Sequence, residues 1–101
     1  MQKTTQLTPD LQISRVVTGL WQIADMERDG TTLDPIQTAP YMAPYVEAGF
    51  TSFDMADHYG SSEIFTVTFK NTHSLGNKGQ LFTKWVPKPG KMSREAVREN
   101  V

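Results

Sequence analysis

An α/β fold of about three strand–helix units is the class that the sequence predicts. Stretches rich in β-branched or aromatic residues, typical of strands, occur at 11–23, 51–54 and 80–85. Between the first two lies Asp34-Pro35, a pair suited to the N-cap and first position of an α-helix. Strands that alternate with helices indicate a parallel sheet whose crossovers are helical.

Composition limits the class of protein further. A chain of 101 residues holds at most one domain, and 38% hydrophobic with 21% charged residues suits an ordinary soluble protein. Ten Lys and Arg against 11 Asp and Glu leave a formal charge of −1, so nothing favours binding to nucleic acid or to an anionic membrane. Without cysteine, a disulfide framework and a thiolate metal site are both excluded. Neither a secretory signal nor an apolar run of about 18 residues is visible, so we expect a cytoplasmic protein, with a plastid location left open.

The first strand is expected within residues 11–23, where apolar and polar residues alternate and several positions are β-branched. A short hairpin or arm should precede it. Gly19 within it permits close approach of a neighbouring backbone or a ligand. Residues 25–32 then read as a polar loop with a turn at Asp29-Gly30.

The first helix is predicted to begin with Asp34 as N-cap and Pro35 at the first helical position. Pro40 and Pro44 follow, and each interior proline removes a hydrogen bond and clashes with the preceding turn. We therefore expect two short helices, or one helix kinked at Pro44. Gly49 is a suitable residue to follow the last helical turn.

The second strand is predicted at Thr51–Asp54, and the segment after it is ambiguous. Phe65, Val67 and Phe69 alternate within a β-branched, aromatic stretch, which locally favours a strand. A parallel sheet, however, needs a crossover before the next strand. We predict a helix over Ile64–Phe69, preceded by a possible cap at Ser61–Glu63.

A third strand is predicted at Gln80–Trp85, after a loop-like stretch at 71–79, and is ended by Pro87 and Pro89. Ser93 should then cap a third helix.

The chemically distinctive residues lie where two successive strands should end. Residues 53–60 read Phe-Asp-Met-Ala-Asp-His-Tyr-Gly, which supplies a carboxylate in Asp54 and a phenol in Tyr59; Lys84 follows in Leu-Phe-Thr-Lys-Trp. A phenol is a poor proton donor near neutral pH because its unperturbed pKa is about 10. A cationic amine nearby favours the phenolate, and a carboxylate can hold that amine in place. The trio has the composition of a general-acid site built on tyrosine.

These residues make the chain resemble the aldo-keto reductases. That family carries Asp-x-Ala-x-x-Tyr-Gly after its second barrel strand and a lysine at the end of its third, matched here by Asp54, Ala56, Tyr59, Gly60 and Lys84. The segments Val16–Ile23 and Glu47–Phe53 are also similar to the family, so the resemblance spans most of the chain.

The resemblance implies a fold and a reaction. The family's fold is a (β/α)8 barrel, which typically takes about 250 residues, so residues 1–101 are expected to form an incomplete, N-terminal part of one such domain. The family reduces carbonyls to alcohols with hydride from NADPH. By resemblance Tyr59 is the general acid, Lys84 activates it, and Asp54 is the salt-bridge partner of Lys84. The family's catalytic histidine belongs to a later strand, and neither His58 nor His73 takes its place.

Cofactor and substrate contacts are also implied by the resemblance. Gly19, Leu20 and Trp21, with Asp54, correspond to the part of the family that meets the nicotinamide ribose of NADP(H). Trp21 and Trp85 would line the pocket of a small carbonyl substrate, or else pack against the mouth of the barrel. Neither a Gly-x-Gly-x-x-Gly motif nor metal-ligand spacing is found in the sequence.

Two functions from different classes remain open at this point. One is an NADP(H)-dependent carbonyl reductase, of which 101 residues alone are expected to show little activity. The other is a non-catalytic truncated or spliced product that acts, if at all, through contacts. Its third strand would present an unpaired edge, which favours self-association or pairing with another chain.

Overall fold

The computed structural model describes residues 2–25 and 33–101. These residues contain two small β-sheets. The predicted α/β class is confirmed. An antiparallel hairpin comes first and a parallel sheet of strand order β3-β4-β5 follows it. The strands are β1 (Thr4–Thr8), β2 (Leu11–Ser14), β3 (Thr18–Gly19), β4 (Ser52–Asp54) and β5 (Gln80–Phe82).

Helical segments connect the parallel strands and follow the last of them. The α-helices are α1 (Trp21–Asp25), α2 (Pro35–Thr38), α3 (Ala43–Glu47), α4 (Ser62–Thr72) and α5 (Arg94–Asn100), with 3₁₀ turns at Ala39–Met42 and Gly76–Lys78. None of these described helices is long and apolar enough to cross a membrane.

The single first strand predicted over 11–23 is wrong: β2, β3 and α1 share that stretch. The hairpin is present as expected. The Leu20 N–H still donates to the Asp54 carbonyl (3.0 Å), the side chain of Leu20 is buried in the core, and α1 begins at the next residue. Tertiary packing thus overrides the local alternation. The turn predicted at Asp29-Gly30 lies outside the described residues.

The start of the first helical region is confirmed. Asp34 caps α2, its carboxylate accepting the Ile36 N–H at 2.9 Å, and Pro35 takes the first helical position. Two short helices, α2 and α3, follow, with Pro44 inside the first turn of α3. Gly49 lies just beyond α3 with φ of 93°, as expected of a residue that ends a helix.

The helix predicted over Ile64–Phe69 is also confirmed, as part of α4. Phe65 and Phe69, four residues apart, are 1% and 0% exposed, whereas Ile64 and Val67 are largely exposed. Burial therefore follows the helical period, and the alternation of β-branched residues was misleading. Ser61 is the N-cap residue of α4 but makes no capping hydrogen bond through its side chain.

The core lies between the helices and one face of the parallel sheet. Its buried members come from β4, α4, the first helical region and the loops at the ends of the strands: Leu20, Ala39, Met42, Val46, Phe53, Met55, Phe65 and Phe69. On the side of the hairpin the sheet borders an apolar groove of about 440 Å³, which we call the inner groove. It is lined by Leu7, Ile13, Val17, Gly19, Asp54 and Phe82.

A buried polar network joins the hairpin to the amino ends of the parallel strands. The Ser14 hydroxyl accepts the N–H groups of Thr51 and Ser52 at 2.9 and 2.7 Å, and the Ser52 hydroxyl accepts the Ser14 N–H at 2.9 Å. Ser52 donates in turn to Gln80 Oε1 (2.8 Å), and Gln80 Nε2 donates to the Gln12 carbonyl (2.7 Å). Because buried backbone N–H groups need partners, this network fixes the hairpin on the sheet.

The third strand is shorter than predicted, ending at Phe82 instead of Trp85. Backbone pairing nevertheless continues past it: the Met55 N–H donates to the Phe82 carbonyl (2.8 Å) and the Asp57 N–H to the Lys84 carbonyl (2.9 Å). The predicted cap of the last helix is confirmed, since the Ser93 hydroxyl accepts the Ala96 N–H at 3.1 Å.

Candidate active site

The carboxyl ends of the three parallel strands meet at one edge of the sheet. Gly19 is in register with Asp54, and Asp54 with Phe82. Side chains at these strand ends and in the loops just beyond them therefore share one region of the surface. Such edges are where α/β barrels place their chemistry.

Asp54, Tyr59 and Lys84 come together at this edge. Lys84 Nζ lies 2.7 Å from Asp54 Oδ1 and 5.6 Å from the centre of the Tyr59 ring. The Lys84 and Asp54 side chains are 47% and 43% exposed, so the ion pair is reachable from solvent. The expected convergence of these three side chains is thus what the structure shows, while their catalytic roles stay predictions.

Aromatic rings pack edge to face around the tyrosine. The Trp21 and Tyr59 ring centres are 5.0 Å apart, and those of His58 and Tyr59 are 4.9 Å apart. Trp21 and His58 also meet, at 6.2 Å. Edge-to-face contacts of this kind hold rings in defined orientations. The Tyr59 ring is therefore fixed by two neighbours while its face stays near the Lys84 amine.

The segment expected to meet a cofactor, residues 19–21, is partly exposed and partly buried. Gly19 is exposed, and a Cβ built on it would meet no heavy atom within 4 Å, so space is open beside it. Trp21 is 44% exposed. Leu20 is different, because its side chain is buried and its N–H already pairs with Asp54. Gly19, Trp21 and Asp54 are accordingly the better placed of the four predicted contacts.

Trp85 is not brought to the Tyr59 cluster. It lines a separate groove of about 350 Å³ with residues of the following loop and of α5, among them Val86, Met92 and Ala96. Among the described residues, neither Trp21 nor Tyr59 lines that groove. Trp21 therefore packs against Tyr59 while Trp85 borders the groove beside α5, and their role as walls of a substrate pocket stays a prediction.

Two carboxylates near the site have roles that the sequence did not suggest. Asp57 accepts the Val86 N–H through its side chain at 3.2 Å, and Glu63 accepts a hydrogen bond from the Thr83 hydroxyl. Asp57 lies inside the motif, two residues before Tyr59, which is the one signal that could have drawn attention to it. Both contacts join residues far apart in sequence, and local patterns do not report such pairs.

Across residues 2–25 and 33–101, no group of three or more His, Asp or Glu side chains is arranged to hold a metal ion.

Comparison with known families gives one match. The model described as "Aldo/keto reductase family" matches residues 15–101, a range that contains the three parallel strands β3, β4 and β5 and all three convergent side chains. No curated protein matches the chain.

Proposed function

The chain belongs to the aldo/keto reductase family, and from that premise we propose that it supplies the proton-donor site of an NADP(H)-dependent reductase of carbonyls. The observation that carries the proposal is the Lys84 ammonium, held at 2.7 Å by Asp54 and 5.6 Å from the Tyr59 ring. A cation beside a phenol, fixed by a carboxylate, is the arrangement that a tyrosine general acid requires.

Each of the three residues has a separate task in this proposal. Tyr59 donates its hydroxyl proton to the carbonyl oxygen of the substrate, which becomes an alcohol. Lys84 places its positive charge 5.6 Å from the centre of the Tyr59 ring, near the negative charge that proton transfer leaves on the oxygen. Asp54 holds the amine in place, and the T-shaped contact with Trp21 orients the phenol. Protonation by a positioned side chain typically contributes about 10²–10⁴-fold to a rate.

A bound NADP(H) would supply the hydride. The residues present fit its nicotinamide-ribose end, because open space lies beside Gly19 and the Asp54 carboxylate is exposed. We propose that Gly19, Trp21 and Asp54 hold this end of the cofactor.

The substrate wall is assigned to Trp21. Its half-exposed ring contacts Tyr59 directly, so a carbonyl within reach of Tyr59 would also touch Trp21. Trp85, although next to Lys84 in sequence, faces the other groove, and we assign it no contact with substrate.

We further propose that β3, β4 and β5 are three strands of a (β/α)8 barrel. Their parallel order and helical crossovers fit that fold. Since such barrels typically take about 250 residues, the test joins residues 1–101 to the remaining strands of an active family member. We expect this chimaera to oxidise NADPH when a reactive aldehyde is added, and the 101 residues alone to show no turnover.

The controls separate folding from chemistry. Circular dichroism establishes that the chimaera folds, and quenching of tryptophan fluorescence by NADPH establishes that it binds cofactor. A folded chimaera that binds NADPH but reduces no carbonyl would contradict the proposed function.

A second candidate function, association through β5, is favoured by the outer edge of that strand. In the described ranges no strand pairs with β5 except β4. The Gln80 N–H and the Phe82 carbonyl bond towards β4, to Thr51 and Met55, so by alternation the backbone groups of Leu81 point away from it. Unpaired edges template further pairing. We propose that two copies of the 101-residue chain pair along this edge.

Hydrogen exchange tests that association residue by residue. The Leu81 amide should exchange rapidly in dilute protein and become protected as the concentration rises, in parallel with dimer formation seen by analytical ultracentrifugation. The Gln80 amide, which donates to the Thr51 carbonyl at 2.7 Å, is the internal control and should be protected at every concentration. Exchange at Leu81 that does not change with concentration would rule out pairing along this edge.

A further inference from the structure

Lys84 lies on a stretch of chain, residues 83–86, that belongs to no helix or strand. Its side chain and that of Asp54 are both nearly half exposed, and an ion pair between exposed groups holds its partners only weakly in water. Asp54 therefore holds the amine only in part, and the backbone that carries Lys84 also contributes to its position. We propose that Asp57 is a positioning residue that holds this backbone, and so holds Lys84 beside Tyr59. The inference rests on the proposed function, since it deepens the role given there to Lys84.

Asp57 forms hydrogen bonds with the residues on both sides of Trp85. Its N–H donates to the Lys84 carbonyl at 2.9 Å, which continues the parallel pairing of β4 with β5. In a parallel ladder the next bond would run from the Val86 N–H to the main-chain carbonyl of Asp57. The side chain takes over that task, because Asp57 Oδ2 accepts the Val86 N–H at 3.2 Å.

The side chain of Asp57 accepts this hydrogen bond in place of the main-chain carbonyl for a local reason. The backbone turns directly after Asp57, as shown by the Tyr59 N–H donating to the Ala56 carbonyl at 3.1 Å. This turn is what brings Tyr59 back to the strand ends. The carboxylate of Asp57 thus extends the ladder by one step at the point where the main chain must leave it.

The other flank of Lys84 is held as well. The Thr83 hydroxyl donates to the carboxylate of Glu63, in the first turn of α4. Lys84 therefore lies between one residue tied to a helix and another tied to the motif loop. Since a displacement of about 1 Å at a catalytic group can cost on the order of a hundredfold in rate, the ties on Lys84 bear directly on the site.

Asp57 acts in this proposal as an acceptor of a hydrogen bond, not as a charge. Asp57→Asn keeps an acceptor oxygen at the same place, whereas Asp57→Ala removes it. Both measurements are made on the 101-residue chain itself. Its lysines are acylated at low reagent concentration and each is quantified by mass spectrometry, while nuclear Overhauser effects report the distance between the Lys84 ε-protons and the Tyr59 ring.

In Asp57→Ala we expect the Lys84–Tyr59 Overhauser effect to weaken and acylation of Lys84 to rise by about twofold to fivefold. This range is the effect expected if the displaced amine loses its exposed ion pair with Asp54. Asp57→Asn should behave as the parent chain in both measurements. Lys70, whose amine donates to the Gly79 carbonyl at 3.1 Å, is the reference lysine and should react equally in all variants. A general loss of stability would raise its labelling too, so a change confined to Lys84 separates positioning from folding.

Val86→Pro removes the donor of the same hydrogen bond, the Val86 N–H. It replaces Asp57→Ala in both measurements if Asp57→Ala does not fold. Equal labelling of Lys84 in the parent chain and in Asp57→Ala would overturn the inference. So would an equal loss of the Overhauser effect in Asp57→Asn and in Asp57→Ala. In that case the charge of Asp57, and not its ability to accept a hydrogen bond, would hold Lys84 in position. Neither readout needs turnover, so a failure here is distinct from a failure of the proposed reductase function.

Discussion

Tyr59→Phe in the chimaeric barrel should lower aldehyde-dependent oxidation of NADPH by about 10²- to 10⁴-fold, the usual contribution of a positioned proton donor. The substitution removes one oxygen and leaves the ring contacts with Trp21 and His58 intact. Binding of NADPH, followed by tryptophan fluorescence, should therefore change little. The loss should appear in kcat, because the proton is transferred only in the transition state.

Tyr41→Phe is the matched control for this experiment. Tyr41 is 73% exposed and lies in the 3₁₀ turn before α3. It borders a cavity that Gly19 also lines but is not one of the three convergent side chains, so loss of its hydroxyl should change activity little. A chimaera in which Tyr59→Phe retained activity close to that of the parent would show that another group donates the proton.

Gly76→Ala should destabilise the fold by about 1–3 kcal/mol or more, as overpacking of a tight contact does. A Cβ at Gly76 would fall on the carbonyl oxygens of Phe69 and Lys70 and lie 2.8 Å from the carbonyl carbon of Lys70. These are backbone atoms in the last turns of α4, so they cannot move aside as the end of a flexible side chain can. Urea unfolding followed by circular dichroism measures the change in the free energy of unfolding.

Gly79→Ala provides the comparison, three residues further along. There the added carbon would lie 3.4 Å from the Gly76 carbonyl oxygen and 3.7 Å from the Phe69 ring, and the backbone angles of −74° and 130° suit any residue. We expect a much smaller effect. Equal stability of the two variants would mean that the close approach at Gly76 does not limit packing.

Helix boundaries were the part of the fold that local sequence predicted best. Asp34 and Ser93 cap helices through their own side chains, so the signal lies within three residues of the feature that it marks. The first strand was predicted poorly for the opposite reason. Its division into β2, β3 and α1 depends on contacts with Asp54 and Ser52, about 35 to 40 positions away.

The same distinction applies to the candidate site. Asp54, Tyr59 and Lys84 could be chosen from residue type and motif order, and the parallel register of β4 and β5 brings them together. The place of Trp85 in the groove beside α5 could not be predicted, because it depends on the direction in which the chain leaves β5. The contacts of Asp57 and Glu63 were hidden likewise, since each joins a loop or helix to the chain beyond β5.

The buried serine network at the amino end of the sheet has a consequence for how this chain can change. Ser52 begins β4 and Asp54 ends it, so their Cα atoms are only two residues, about 7 Å, apart along the strand. Substitutions this close together usually influence each other instead of adding independently. Changes at Ser14, Ser52 or Gln80 that alter thermal tolerance should therefore also be felt at the reacting end of β4, so that stability and activity would have to be engineered together.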